Sequence, residues 1–230
     1  MNILKGMSVA LVILASSACA GPPPPKPLDS QSTAIGISVT FKGPTRLSSN
    51  GFERIYFVKV EKAGDFYRQR QYMPSNYVKG DRAYLLNAPP GRYVAVAAFK
   101  RSPTQQGGTR EFTTLFSKEL IKLTEVTTAP GAIGFMGEHE IRQSTLTDTD
   151  DAQLHYAGLI APHAVSKSGV TAQVLGTMSS SEEFYKATLV EAKREKSSEE
   201  QFLAKAMKDL RKGGWSAMIQ QRLDLLRASQ

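Results

Sequence analysis

The sequence predicts a mainly β chain with a C-terminal α segment: an antiparallel β-sandwich followed by two or three short helices. Three observations lead there. From Thr33 to about Ile160, short runs of alternating apolar and polar or small residues are separated by Gly, Pro and Asn, the period-two pattern of half-buried strands. Within that stretch, Pro89-Pro90-Gly91 and Pro130-Gly131 are tight-turn signals, with Pro presetting φ and Gly accepting positive φ. After Gly169 the composition changes, and apolar residues recur at helical spacing.

The strands follow in order. Ile35, Ile37, Val39 and Phe41 alternate with small or polar residues until Gly43-Pro44. Residues 54–62 place Tyr56, Val58 and Val60 on one side and Ile55 and Phe57 on the other. Residues 66–73 are more polar and predict a strand near an edge. Residues 83–86 lead into the Pro-Pro-Gly turn, and residues 92–100, with Tyr93 to Phe99 continuously apolar, predict a buried central strand. Residues 112–116, 120–126, 133–141 and 153–160 complete the set. About eight strands at this spacing argue for a sandwich.

The C-terminal segment, residues 178–230, predicts helices. Glu182-Glu183-Phe184-Tyr185 places acids in a first helical turn, with Phe184, Leu189 and Ala192 on one face. Ser198 with Gln201 matches a capping box that opens a second helix carrying Phe202, Ala206 and Leu210. Gly213-Gly214 stops it, and Trp215 starts a third helix with Ile219, Leu223 and Leu226. Helices this short are marginal alone, so their apolar faces must pack on the sandwich or on a partner, and packing on the sandwich is the expected outcome.

Residues 1–18 read as an export signal. Lys5 supplies the positive charge, residues 7–15 a short apolar run, and Ser16-Ser17-Ala18 a small-residue exit into Cys19. The run is shorter than the roughly 20 residues a spanning helix needs. Cys19 is the chain's one cysteine, so no internal disulfide can form. Residues 19–32, with Pro22 to Pro25 and Pro27, predict an extended polyproline-like tether that lifts the sandwich (residues 33–165) off whatever holds its end.

The 16–19 stretch resembles the lipobox of bacterial lipoproteins, with Ser16 where Leu is usual. The resemblance implies removal of residues 1–18 and acylation of Cys19. Ala20 after it, in place of Asp, implies an outer-membrane lipoprotein facing the periplasm. Signal-peptidase cleavage after Ala20, releasing a secreted chain, also fits the small residues, and a retained anchor helix is a third reading. Leu85-Leu86-Asn87-Ala88-Pro89-Pro90-Gly91-Arg92-Tyr93 and Thr127-Thr128-Ala129-Pro130-Gly131-Ala132-Ile133-Gly134-Phe135 resemble the turn motifs of transthyretin-like and carboxypeptidase-regulatory-like sandwich domains. That resemblance implies a fold and no activity.

Few residues of the chain suggest chemistry. The three histidines are His139, His155 and His163. Glu138-His139-Glu140 on a strand would send both carboxylates to the face opposite the ring, poor geometry for a shared metal. No H-E-x-x-H pair, nucleophile elbow, P-loop or dinucleotide fingerprint occurs. Thr147-Asp148-Thr149-Asp150-Asp151 is acidic but lacks the glycine and distal Glu of a calcium loop. The expectation is therefore no catalytic residue, no metal and no cofactor. The formal charge of +8 admits an anionic envelope partner, with Arg68, Arg70, Lys79, Arg82, Arg92, Lys100 and Arg101 as a basic sheet face, though solvated charge explains them as well. An export signal makes nucleic acid an unsuitable partner. Two function classes remain: a lipid-anchored, non-enzymatic scaffold or interaction module with an envelope protein as partner, and an envelope enzyme or small-ligand binder whose site is not visible in sequence.

Overall fold

The computed structural model describes residues 22–42, 51–63, 66–104, 107–145 and 183–229. The chain is mainly β, with helices gathered towards the C-terminus. Among the described residues, ten strands lie in one mixed sheet: β1 (Thr33–Lys42), β2 (Arg54–Ala63), β3 (Phe66–Pro74), β4 (Tyr77–Lys79), β5 (Arg82–Ala88), β6 (Gly91–Pro103), β7 (Thr109–Phe116), β8 (Val126–Thr128), β9 (Ile133–Thr145) and β10 (Glu183–Lys193). Among the described residues the helices are α1 (Lys118–Leu123), α2 (Lys196–Asp209) and α3 (Ser216–Ala228), with a 3-10 turn at Arg211–Gly213 between the last two.

The strands run in the order β3-β2-β6-β7-β10-β9-β1-β5-β4, and β8 pairs with β6. Most neighbours are antiparallel, whereas β1 with β9 and β7 with β10 are parallel. Ile37 of β1, Leu85 of β5, Phe57 of β2, Val96 of β6 and Leu115 of β7 come from both halves of this path and meet in one inner core. The sheet therefore folds over on itself, as the two layers of a sandwich do. Its ends are tied between β3 and β4: the Ser75 N–H donates to the Ile55 carbonyl on β2, and the Asn76 N–H to the Tyr84 carbonyl on β5.

Tyr93 to Phe99 of β6 are all buried, with β2 and β7 on either side, as expected of a central strand. The Pro-Pro-Gly turn feeds it. Gly91 has φ of 150°, and a Cβ there would lie 2.5 Å from Lys59 Cε. The buried Tyr93 hydroxyl donates back to the Pro89 carbonyl and closes the turn. Burial pushes its phenol up to about 12.

The opposite face of β1, β5 and β9 carries a second core. Ala34, Tyr84, Leu86, Ile133 and Phe135 from the strands pack against Phe202, Leu203, Ala206, Leu210, Trp215, Ile219, Leu223 and Leu226 from the helical segment. The helices thus pack on their own sheet, and Trp215 is fully buried.

Three local expectations are corrected. Residues 183–193 are strand β10, not the first C-terminal helix, so the helical segment begins at Lys196. β7 and β9 each present a free edge there, and β10 satisfies both, parallel to one and antiparallel to the other. Residues 118–123 are helix α1 and not part of a strand. The Ser117 hydroxyl caps it by accepting from the Leu120 N–H at 3.2 Å, and Thr124 ends it. The Thr124 hydroxyl also accepts from the Ala95 N–H at 2.8 Å, pinning α1 to β6. Finally, α2 opens at Lys196, so Ser198 lies inside the first turn, where its hydroxyl donates to Glu195 Oε1 at 2.6 Å. The expected strand at residues 153–160 lies outside the described residues.

Candidate functional site

The proline-rich stretch is docked, not a free spacer, from Pro24 onward. Pro has no N–H to satisfy and its carbonyls are free acceptors, so such a segment needs donors and a flat surface. The C-terminal unit supplies both. Pro24 is buried. The Trp215 indole N–H donates to the Pro25 carbonyl at 2.7 Å. Gly213 leaves the room required: a Cβ there would sit 2.9 Å from Pro24 Cγ and 3.1 Å from the Pro24 carbonyl. Gly214, at φ 84°, turns the chain between the 3-10 turn and Trp215.

Asn87 closes the clasp from β5. It adopts φ of 60°, a left-handed conformation that Asn tolerates better than most residues. Its amide donates to the Lys26 carbonyl at 2.8 Å, and its Oδ1 accepts from the Leu28 N–H at 3.1 Å. The Leu28 and Asp29 N–H groups also reach the Ser32 hydroxyl, at 2.9 and 3.0 Å. The chain then enters β1, where the Thr33 hydroxyl donates to the Ala129 carbonyl at 3.0 Å. Cys19, the expected acylation site, lies outside the described residues, as do residues 1–18; it stands three positions before Pro22. Sequence reasoning singled out Gly213-Gly214 as a helix stop and Asn87 within a turn motif. It did not join either to the proline segment, because nothing local signals contacts across 61 or 190 positions.

Beside this dock runs a groove of about 440 Å³ between the β8–β9 turn and α3. The turn contributes Ala129 to Gly131, and α3 contributes Met218, Gln221, Arg222 and Leu225. Leu225 is 58% exposed at its side. Glu199 binds Arg222 at 2.7 Å, and Arg194 donates to the Leu123 and Glu125 carbonyls, so the charged groups of the groove have partners within the fold.

His139 lines a smaller depression of about 130 Å³ with Ser38, Thr40, Asp81, Glu138, Glu140, Glu191 and Lys193. It is 2% exposed; its Nε2 lies 3.0 Å from the Met136 carbonyl, and its Nδ1 is buried with no partner. Burial holds its pKa below the ordinary value, which keeps the ring neutral. The Ser38 hydroxyl donates to Asp81 at 2.7 Å, and among the described residues no bond joins Ser38 to His139. Glu138 pairs with Lys205 and Glu140 with Lys42. Among the described residues, no group of three or more His, Cys, Asp and Glu side chains is placed to hold a metal ion, and no helix is long and apolar enough to cross a membrane. His155, His163 and the acidic stretch at residues 147–151 lie outside the described residues.

The expected basic sheet face is not continuous. Arg82 is bound by Asp81 at 2.6 Å and by Asp209 at 2.7 Å. Burial opposes its charge, and the Asp209 hydrogen bond and charge more than offset this, raising its pKa. Arg92 pairs with Glu125 at 3.5 Å. Arg101 pairs with Glu111 at 2.9 Å and lies over the Phe99 ring. Lys100 is partly buried, which lowers its pKa. Lys79 is exposed at the β4 edge, and the side chains of Arg68 and Arg70 are not among those described.

Compared with protein-family models, with curated proteins and with solved structures, the chain returns no match in any of the three.

Proposed function

We propose that the protein is a lipoprotein, anchored through acylated Cys19 to the outer membrane and facing the periplasm, where it acts as a non-enzymatic interaction module for an envelope protein. The observation that carries this reading is the dock. A segment that starts five positions after the cysteine is bound to the Gly213 turn, Trp215 and Asn87, so an anchor at Cys19 would hold the folded body in a defined pose. A fixed pose is useful to a scaffold that presents one face to a partner. In the His139 depression the Ser38 hydroxyl is bonded to Asp81 and not to the imidazole, and burial holds the His139 pKa below its ordinary value.

The test is metabolic labelling with a fatty-acid analogue. The wild type should carry the label and sediment with outer-membrane fractions, and Cys19→Ser should lose both. An unlabelled wild type would sink the anchored reading. The groove between the β8–β9 turn and α3 favours one second reading, a small-ligand-binding envelope protein, because its volume lies in the range of ligand pockets. Crosslinking in native envelopes separates the two: a protein adduct mapped to α3 supports the module, and a small molecule that co-purifies and is lost with Arg222→Ala supports the binder.

A further inference from the structure

We infer that the corner around the proline dock is the face that lies on the bilayer, and that it binds anionic phospholipid headgroups. The inference rests on acylation of Cys19, and three observations carry it further than that reading alone.

The first is reach. Pro24 lies against the Gly213 turn, and it stands five positions after Cys19. A fully extended chain covers at most about 3.6 Å per residue, so the acylated cysteine cannot be more than roughly 18 Å from this corner. The indole and Asn87 hydrogen bonds keep the body from swinging away on a longer leash.

The second is charge. Lys26, Lys208, Arg211 and Lys212 surround the dock in sequence and are all exposed. Among the described residues none of them has a carboxylate partner. The acid in their midst, Asp209, is turned inward to Arg82 and Tyr84. Asp29, next to Leu28, is a second carboxylate, and its Oδ1 accepts from the Gln31 N–H and the Ser32 hydroxyl. The corner is therefore cationic, unlike the paired charges on the sheet.

The third is an apolar projection. Leu28 is 83% exposed, the most exposed of the large apolar residues described. Its N–H is held by Ser32 and Asn87, so the side chain is presented by a fixed backbone next to Pro27 and Lys26. Cations beside an exposed apolar side chain, close to a lipid anchor, form the combination that seats a protein at an anionic interface, because basic residues held near the surface are drawn to anionic headgroups and the apolar side chain enters the interface.

The single cysteine makes the test direct. The chain beginning at Cys19 is coupled through its thiol to a maleimide lipid, in vesicles of phosphatidylcholine alone or mixed with phosphatidylglycerol. Acetylation of each lysine is then read by mass spectrometry. Lys26, Lys208 and Lys212 should be protected several-fold on the anionic vesicles only, and the protection should vanish at about 0.5 M salt, where screening is short-ranged. Lys118 and Lys186, exposed on α1 and β10, should react equally on both. The K26Q/K208Q/R211Q/K212Q variant should stay coupled and folded but lose the orientation, and Leu28→Ser should weaken it. Equal reactivity at the corner on both vesicle types overturns the inference. So does stronger protection by a soluble anionic polysaccharide than by vesicles, which would assign the corner to a different polyanion. Because the coupling is chemical, these results stand apart from the labelling experiment: a wild type without fatty acid in cells defeats the anchored reading and leaves the vesicle result interpretable.

Discussion

The two cores are built from the same strands on different terms. On the inner side of β1, Ile35, Ile37 and Val39 interlock with large residues from β2, β6 and β7. On the outer side the strand offers Ala34, Gly36 and Ser38, and the bulk comes from α2 and α3. Gly36 shows how close the approach is: a Cβ there would stand 2.4 Å from Phe202 Cζ. Alternation of large and small residues usually marks a sheet with one dry and one wet face. Here the small residues are a seat for a helix, and both faces of β1 are buried. A strand pattern reports which side chains share a face, not whether water lies beyond it.

The cores also differ in how polar groups lock them. In the inner core, Thr124 bonds to the β6 backbone at Ala95. In the outer one, a carboxylate does the work: Asp209, at the end of α2, accepts from Arg82 Nε at 2.7 Å and from the Tyr84 hydroxyl at 2.8 Å, and its carbonyl accepts from Tyr77 at 3.2 Å. Burial and the Asp209 charge together raise the Tyr84 pKa, so the phenol remains a donor. The helical layer is thus attached by apolar area and oriented by one charged clamp.

Four experiments would break or sharpen this contrast. The largest effect should follow removal of residues 196–230, which uncovers Tyr84, Leu86, Ile133 and Phe135 together. Losing that many buried side chains forfeits roughly 5–10 kcal/mol, comparable to the whole stability of a domain, so the trimmed sheet should not give a cooperative melt. If it melts as the full chain does, the outer core is an accessory. In the intact chain Trp215 should emit in the blue and resist quenchers.

Next comes Asp209→Asn, which leaves the largely buried Arg82 without its stronger partner. A loss of about 2–4 kcal/mol in urea unfolding is expected. A loss under about 0.5 kcal/mol would mean that apolar contact alone orients α2.

Gly36→Ala tests the small-residue seat. The added methyl meets a packed ring and not a flexible chain end, and should destabilise by about 1–3 kcal/mol. The inner-core change Val96→Ala should cost about as much through a cavity instead. A stabilised Gly36→Ala protein would show that the two layers are less tightly packed than the geometry implies.

The smallest effect concerns pH. Burial lowers the His139 pKa below its unfolded value of 6.5. The folded state then binds fewer protons than the unfolded one, so stability is full above about pH 6.5 and falls as pH drops below it, down to the folded pKa. His139→Asn should flatten that part of the curve; urea midpoints at about pH 7.5 and about pH 5.5 measure it. An unchanged slope would assign the acid sensitivity to other groups.

Much of this was readable in the residues. The strand at Tyr93 to Phe99, the Pro-Pro-Gly turn and the apolar faces of α2 and α3 follow from short-range periodicity and from turn chemistry. Those signals are local, so they survive whatever the rest of the chain does. β10 was not readable: Ala, Leu, Glu and Lys favour a helix, and the residues became a strand because two edges far away in sequence lacked a partner. α1 was misread because Leu120 and Ile121 form too short an apolar run for periodicity to separate helix from strand.

The dock was split between the two levels. The sequence by itself determined that residues 22–27 are extended and donor-poor, that a glycine pair precedes the single tryptophan, and that a cysteine follows an export-like run. Only the tertiary structure decided that these parts meet. Trp215 and Pro25 are 190 positions apart, and their hydrogen bond forms because α2 and α3 are carried across the outer face of β1, β5 and β9 to where the chain enters. Side-chain periodicity encodes the direction of a residue within its element. Which distant element it meets is set by sheet order and by which apolar faces and strand edges are still open, and those belong to the whole fold.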